Sequence, residues 1–346
     1  MRLRRYWRVI LPLPLLGVAI GMIWWRGPNW GVVKDAFAVV SWPWIIAAIG
    51  FNLLSVAVRA LAWNTAISQA MPPPHPRFRL VFAAFAVGLF GNVVLPGRVG
   101  ELARVAVLTR RLPGRRGVWA TLIGSVFAHR AFDIFPAVVL VVWVLFSAKL
   151  PAWAFGSLIG VVGAGFALFT FAVITARRHQ APVDGLGTVR TLIVRIRVGL
   201  AVMREPAAAV TAGTFQFLGW VCQLAAVWAA MRAFQIHLPL AAAGVVLVLM
   251  NVATIFPLWP GNVGLVQAAV ALPLVSYGID YGRGFAYGIG LQAIEASVGV
   301  GIGLVFLARE GFSYAMLKEM PDAASDDVGM AEPLEGAGRE PSRVPG

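Results

Sequence analysis

Cysteine is almost absent from this chain. Cys222 is the single one among 346 residues, and it sits inside an apolar run. A disulfide within the chain is therefore excluded, and thiol catalysis has no visible partner. The four histidines, His75, His129, His179 and His237, fall in four separate regions, so no metal-ligand set stands out. The sequence also lacks a Gly-x-Ser-x-Gly nucleophile turn, a phosphate-binding P-loop and any nucleic-acid-binding motif. No cofactor and no nucleic-acid partner is expected, and any use of ATP would need another chain. Charge is scarce at 13% of residues, whereas 59% are hydrophobic and the mean hydropathy is +0.79. No soluble domain needs so much apolar surface. The composition specifies an all-α, polytopic integral membrane protein.

The charge that is present is unevenly placed. From Pro321 onward six acids stand against two arginines, a net −4, so the remainder of the +14 chain carries +18. Such a balance suits an anionic membrane face or an anionic lipid. The acidic stretch 311–346 reads as a disordered tail after a membrane domain over 1–310. Several of the thirteen tryptophans, among them Trp24, Trp25, Trp42, Trp44 and Trp153, fall near expected span ends, as interfacial belts require.

Apolar runs give the topology. Arg2, Arg4, Arg5 and Arg8 precede the run Val9 to Trp25, and Trp24, Trp25 and Arg26 stand where a signal peptide would carry small residues. An uncleaved first span with its N-terminus inside follows. Ser41 to Trp63 reads as a second span ending at the proline-rich loop 72–76, Val118 to Leu145 as a third, Trp153 to Thr175 as a fourth, Ala207 to Met231 as a fifth and Phe285 to Leu307 as the last. Thr188 to Met203 has the composition of a basic amphipathic helix on the inner leaflet. Gly284/Gly288 and Gly299/Gly303 in the last span favour close helix contact.

Two segments do not fit a plain span. Phe78 to Arg111 begins with an apolar run of about fifteen residues, short of the roughly twenty a crossing helix needs. It then meets Asn92, Pro96, Gly97, Arg98, Gly100, Glu101 and Arg104. Pro96 removes a backbone donor and Gly97 permits unusual dihedrals, so the helix breaks at bilayer depth. Basic residues flank both ends (Arg77, Arg79, and Arg110 to Arg116), which puts both ends on the cytoplasmic side. A re-entrant hairpin satisfies length and charge together. The second interrupted segment, Leu240 to Gly278, meets Pro257, Trp259, Pro260, Gly261, Asn262 and Gly264 in the same way. Paired Pro/Gly interruptions in two halves point to a transport-type site of discontinuous helices and to an inverted pseudo-repeat. The expectation is six full spans plus two hairpins dipping from opposite faces, or eight spans if the arms of the second break each cross.

Charged residues inside apolar segments mark the candidate site. Arg130 and Asp133 are three apart and His129 and Asp133 four apart, so one helical flank holds all three. With Arg98, Glu101 and Arg104 of the first break they would line a substrate cavity; the bland alternatives are a self-neutralising Arg130–Asp133 pair and a local Arg98–Glu101–Arg104 ladder. Arg59, some five residues before the expected end of its span, either snorkels to the interface or joins the pathway. Gln292 and Glu295 read as an interhelical polar contact.

These residues carry a resemblance. Leu95 to Arg104, L-P-G-R-V-G-E-L-A-R, resembles the P-x-R-x-G-E-x-x-R signature of the flippase-like family typified by the transmembrane domain of lysylphosphatidylglycerol synthases. His129 to Asp133 resembles its E-R-x-x-D element, and Pro257 to Gly264 its P-x-x-P-G-G-x-G element. The likeness covers roughly Arg8 to Arg309. It implies a bacterial inner-membrane protein that flips an anionic or modified phospholipid, with Arg98, Glu101, Arg104, Arg130 and Asp133 matching by position. His129 stands where the family usually has Glu, Asn262 replaces a glycine, and Gln267 replaces a Glu. Losing two acids makes the site more cationic, which weighs against proton coupling or a cationic lipid and toward a phosphate-bearing one. The soluble aminoacyl-transferase domain of the two-domain synthases has no room after Arg309, so the chain does not read as a lysyltransferase.

Three functions follow. In the first, Arg98, Arg104 and Arg130 hold the phosphate of an anionic phospholipid or polyprenyl-phosphate-type lipid while Glu101 and Asp133 orient them. In the second, the same groups serve acid–base chemistry on a lipid phosphate. In the third, the basic segment Arg177 to Arg204 anchors a lipid-biosynthetic partner, and self-association is compatible with any of the three.

Overall fold

The computed structural model describes residues 28–94, 99–112, 118–149, 201–254 and 262–310, with Gly21 and the scattered positions 155–156, 159–160, 163–167, 170 and 174. All regular structure among them is helical: α1 (Trp30–Ala38), α2 (Trp42–Ala70), α3 (Phe78–Val94), α4 (Gly100–Arg110), α5 (Val118–Ser147), α6 (Pro206–Ala233), α7 (Leu240–Ala253), α8 (Leu265–Val275) and α9 (Tyr281–Glu310), with a short 3₁₀ turn at Ala201–Met203. Prolines punctuate them. Pro43 and Pro206 lie in the first turns of α2 and α6, where a missing N–H costs nothing.

Four of these helices, α2, α5, α6 and α9, are long and apolar enough to cross a membrane. The protein is a multi-pass membrane protein. Of the other two expected spans, 9–25 is described at Gly21 alone and 153–175 at scattered positions; the expected amphipathic helix 188–203 is described only at its last three residues, which form the 3₁₀ turn, and the tail 311–346 lies outside the described residues. Helix α2 runs seven residues past the expected end at Trp63, which leaves Arg59 eleven residues inside the helix rather than at its margin. The short α1 has no counterpart among the expected spans. Its Asn29 caps the first turn by accepting from Gly31 N at 3.0 Å.

The arms of both breaks are short helices. At 17 and 11 residues, α3 and α4 rise about 26 and 16 Å, and α7 and α8, at 14 and 11 residues, about 21 and 16 Å. Each falls short of the roughly 30 Å hydrocarbon core, so folded-back arms fit better than eight spans. In the first hairpin the arms run antiparallel: Gly88 faces Arg104 while Gly91 faces Gly100.

Helix α9 holds both hairpins. Gly284 and Gly288 near its start take Ala271 and Gln267 of α8, and Gly299 and Gly303 near its end take Val93, Leu89 and Phe90 of α3. Both glycine pairs named in the sequence therefore make close helix contacts, as small residues do where lipid removes the hydrophobic drive between helices. The order of these contacts sets the broken ends of α3 and α8 against the middle of α9, approached from its two ends.

Two apolar cores result. One gathers around α7 and α8 and includes Val141, Met231, Leu247 and Tyr287; the other gathers around α3 and α4 and includes Trp63, Phe85, Leu108 and Leu122. Helices α5, α6 and α9 pass from one core to the other, and they do so at polar residues: Asp133, Gln216 to Gln223, and Glu295. The polar layer lies between two apolar halves.

Candidate functional site

Local chemistry fixes the tip of the first hairpin. Gly100 N donates to Asn92 Oδ1 at 3.0 Å, so α3 lends an acceptor to the otherwise unpaired start of α4. Glu101 follows in the first turn of α4, where a carboxylate is favoured by the helix dipole. One turn later Arg104 reaches back to Glu101. Its guanidinium lies 4.6 Å from the centre of the Trp63 ring and 5.4 Å from that of Phe85, and the residue is only 3% exposed. Trp63 is itself held by donating to Ser125 Oγ at 3.1 Å.

Glu101 also reaches across to α5. Arg130 Nη2 pairs with Glu101 and Arg130 Nη1 donates to Asp133 Oδ2 at 3.0 Å. Asp133 gathers further partners on its other oxygen. Trp220 Nε1 donates to Oδ1 at 2.9 Å, Gln216 Nε2 donates to the same atom, and Arg59 Nη2 of α2 approaches it at 3.6 Å. The Arg59 stem crosses Gly219, where a side chain would collide with it, and its guanidinium stacks 5.3 Å from the Trp220 ring centre. One continuous chain results: Arg104, Glu101, Arg130, Asp133, Arg59, drawn from α4, α5 and α2 and braced by α6. Three cations meet two anions, leaving one positive charge in excess.

The structure thus brings together Arg59, Glu101, Arg104, Arg130 and Asp133. Arg59 joins this chain through Asp133, eleven residues before the end of α2. The Arg130–Asp133 pair forms, but both members have further partners. His129 is turned toward α3, buried edge-on to Phe85 with centroids 5.8 Å apart, and its Nδ1 has no hydrogen-bond partner among the described residues. Arg98, Pro96 and Gly97 lie outside the described residues. Sequence reasoning missed Gln216, Gly219 and Trp220, although Gln216 and Gln223 inside an apolar span were the available signal. Replacing Trp220 by Phe should keep the ring under Arg59 and lose one hydrogen bond to a charged acceptor, about 2 kcal/mol. Trp220→Ala should lower the melting temperature in detergent further, because the stacking goes too; equal melting of both variants would contradict this account.

Beyond the ion pairs, buried donors are left over. Among the described residues Arg59 Nε and Arg104 Nε have no hydrogen-bond partner, while the Arg130 side chain is 47% exposed. Unsatisfied buried donors are costly, and guanidinium groups are suited to phosphate and carboxylate oxygens.

The second break is uncharged among the described residues. Asn262 and Gly264 have φ of 45° and 91°, a region open to glycine and tolerated by asparagine. Asn262 Nδ2 donates to the Ala253 carbonyl at 3.0 Å, tying the end of α7 to the turn. Gln267 Oε1 accepts from Gly264 N at 2.6 Å, and Gln267 Nε2 donates to Gln292 Oε1 on α9. Asn262 and Gln267 thus shape this turn. Pro257, Pro260 and Gly261 lie outside the described residues.

Comparison with known families now bears on this arrangement. Residues 13–303 match the family described as the lysylphosphatidylglycerol synthase TM region. The chain belongs to that family. The lysylphosphatidylglycerol synthase TM-region match takes in both hairpins, all nine described helices but the end of α9, and the whole ion-pair chain, and it stops before the acidic tail. Neither a curated protein nor a solved structure matches the chain. Membership sets the protein in a membrane-lipid context, as a protein related to lipid biosynthesis or transport.

Proposed function

We propose that this protein moves an anionic phospholipid, or a polyprenyl-phosphate-type lipid, between leaflets, with the headgroup phosphate held on Arg130, Arg104, Arg59 and Arg98. The reading is one of binding and passage, without a covalent step. One observation carries it: at mid-helix depth, guanidiniums from α2, α4 and α5 converge on two shared carboxylates, and those of α2 and α4 keep buried donors with no hydrogen-bond partner among the described residues. Placing such charge among apolar helices is expensive, and its ordinary justification is a ligand or pathway. Glu101 and Asp133 preserve near-neutrality when the site is empty, and an arriving phosphate takes the surplus positive charge. The two hairpins, approaching along α9 from opposite ends, are the parts that would move against the long helices to open the site to either side. We place the protein in a bacterial inner membrane with both termini cytoplasmic, on the basic flanks of the first hairpin.

The test is lipid movement in proteoliposomes. Arg130→Ala should remove protein-dependent movement of acyl-labelled phosphatidylglycerol while the variant still runs as a folded monodisperse species, since Glu101 keeps Arg104 and Asp133 keeps Arg59. Arg98→Ala should behave alike. Wild-type movement in both variants would end the proposal.

A further inference from the structure

At the other end of the helix pair that carries Arg59 and Trp220, a second arginine stacks on a tryptophan. Helices α2 and α6 run antiparallel. Ser55 Oγ donates to the Gly219 carbonyl at 2.8 Å at mid-depth, and Ser41 N donates to the Ala233 carbonyl at 2.9 Å where α2 begins and α6 ends. In the last turn of α6 the Arg232 guanidinium lies 4.9 Å from the centre of the Trp228 ring. Trp44 of α2 stands perpendicular to that ring, with centroids 5.6 Å apart. Twelve residues of helix, about 18 Å, separate Arg232 from Trp220 and the ion-pair chain. With both ends of the first hairpin placed inside, this end of α2 and α6 faces the outer leaflet.

Unlike Arg59, Arg104 and Arg130, Arg232 has no carboxylate within ion-pair distance among the described residues, and its buried Nε has no hydrogen-bond partner there. Helix capping is not its task. The carbonyls just past α6, those of Phe234 and Gln235, already accept from Arg283 Nη2 of α9 at 3.2 and 3.0 Å. Stacking holds the flat of the guanidinium against the indole and leaves its N–H edge for an anion. The two indoles add donors. Trp63 and Trp220 spend their N–H groups on Ser125 and Asp133, whereas those of Trp44 and Trp228 have no acceptor among the described residues. The cluster thus carries one positive charge and several hydrogen-bond donors, with no carboxylate to meet them. It is also within reach of lipid: Trp44 is 38% exposed and its neighbour Trp42 72%.

We infer that Arg232, Trp228 and Trp44 form a binding site for the phosphate of an anionic phospholipid in the outer leaflet. The occupant is a lipid and not dissolved phosphate, because exposed tryptophans mark the depth at which headgroups and acyl chains are both at hand. This site is separate from the ion-pair chain and stands whether or not lipid passes through that chain.

The experiment is native mass spectrometry of the full chain, incubated in detergent with dioctanoyl-phosphatidylglycerol at a concentration just sufficient to fill both sites. Two retained lipids are expected in the wild type, one in Arg232→Gln, one in Arg130→Ala and none in the double variant. Titration should show half-occupancy of the Arg232-dependent lipid raised by about tenfold or more in Arg232→Gln, the loss of one hydrogen bond from a charged donor. Arg232 bonds to no protein group among the described residues, so Arg232→Gln should melt with the wild type. Arg232→Lys, which keeps the charge without the fork, should bind between the two. Unchanged retention in Arg232→Gln, equal retention of dioctanoyl-phosphatidylcholine at this site, or displacement of its lipid by inorganic phosphate at the same concentration overturns the inference. Loss confined to Arg232→Gln, with Arg130→Ala unchanged, supports this site and counts against the lipid-passage reading.

Discussion

Asp133→Ala should unfold more of this protein than any other single replacement in the polar layer. Its two oxygens receive Arg130 at 3.0 Å, Trp220 at 2.9 Å, Gln216 and, at 3.6 Å, Arg59. Arg130 would keep Glu101 as a partner. Arg59 would not: among the described residues Asp133 is the one carboxylate within ion-pair distance of it. Breaking a buried pair by deleting one member strands the other charge, at a cost of about 3–5 kcal/mol. In a chain of this size that corresponds to a fall of very roughly 5–15 °C in Tm, read by tryptophan fluorescence in detergent. Asp133→Asn keeps an acceptor for Trp220 and should fall in between. A wild-type melting curve for Asp133→Ala would mean that the ion pairs contribute nothing to holding α2, α5 and α6 together.

Gly100→Ala should be nearly as damaging, by a different route. A Cβ at this position would run into the Gly88 carbonyl and the Asn92 side chain that caps α4. The first obstacle is backbone and cannot rotate away, so the two arms of the hairpin must separate. Overpacking of this kind costs roughly 1–3 kcal/mol, and the loss of the Asn92 contact adds about 1 more. Because α4 carries Glu101 and Arg104, lipid movement should be lost along with stability. Gly50 and Gly301 provide the control, since a Cβ at either meets nothing within 4 Å. There the same substitution should be neutral or slightly stabilising, as alanine is the better helix former. The opposite signs at Gly100 and Gly301 separate hairpin closure from a general intolerance of alanine; equal melting of the two variants would contradict it.

Much of the architecture was readable along the chain because its causes are local. Hydropathy marks a span, and a proline–glycine pair interrupts a helix whatever surrounds it. The glycine spacing in α9 was readable for the same reason, as was the Arg130–Asp133 pair, whose members are one turn apart. The end of α2 was misjudged because Asn64, Thr65, Ser68 and Gln69 lower the hydropathy there without breaking the helix. That error left Arg59 undecided between interface and pathway.

The partners of the site were a different matter. Arg59 and Asp133, Glu101 and Arg130, and Gln223 and Glu295 are each separated by tens of residues, and no periodicity relates one member to the other. His129 shows the limit from the opposite side: its spacing from Asp133 permits a shared flank, yet its ring goes to Phe85.

By itself, the sequence determined that this is a multi-pass helical membrane protein with two interrupted segments and ionisable groups at their depth. Only the tertiary structure decided that those groups form one ion-pair chain between two apolar cores, with Glu295 set apart from it. The reason is physical: a segment's apolarity and its breaks are properties of neighbouring residues, whereas the partner of a buried charge is chosen by which helices the rest of the chain brings beside it.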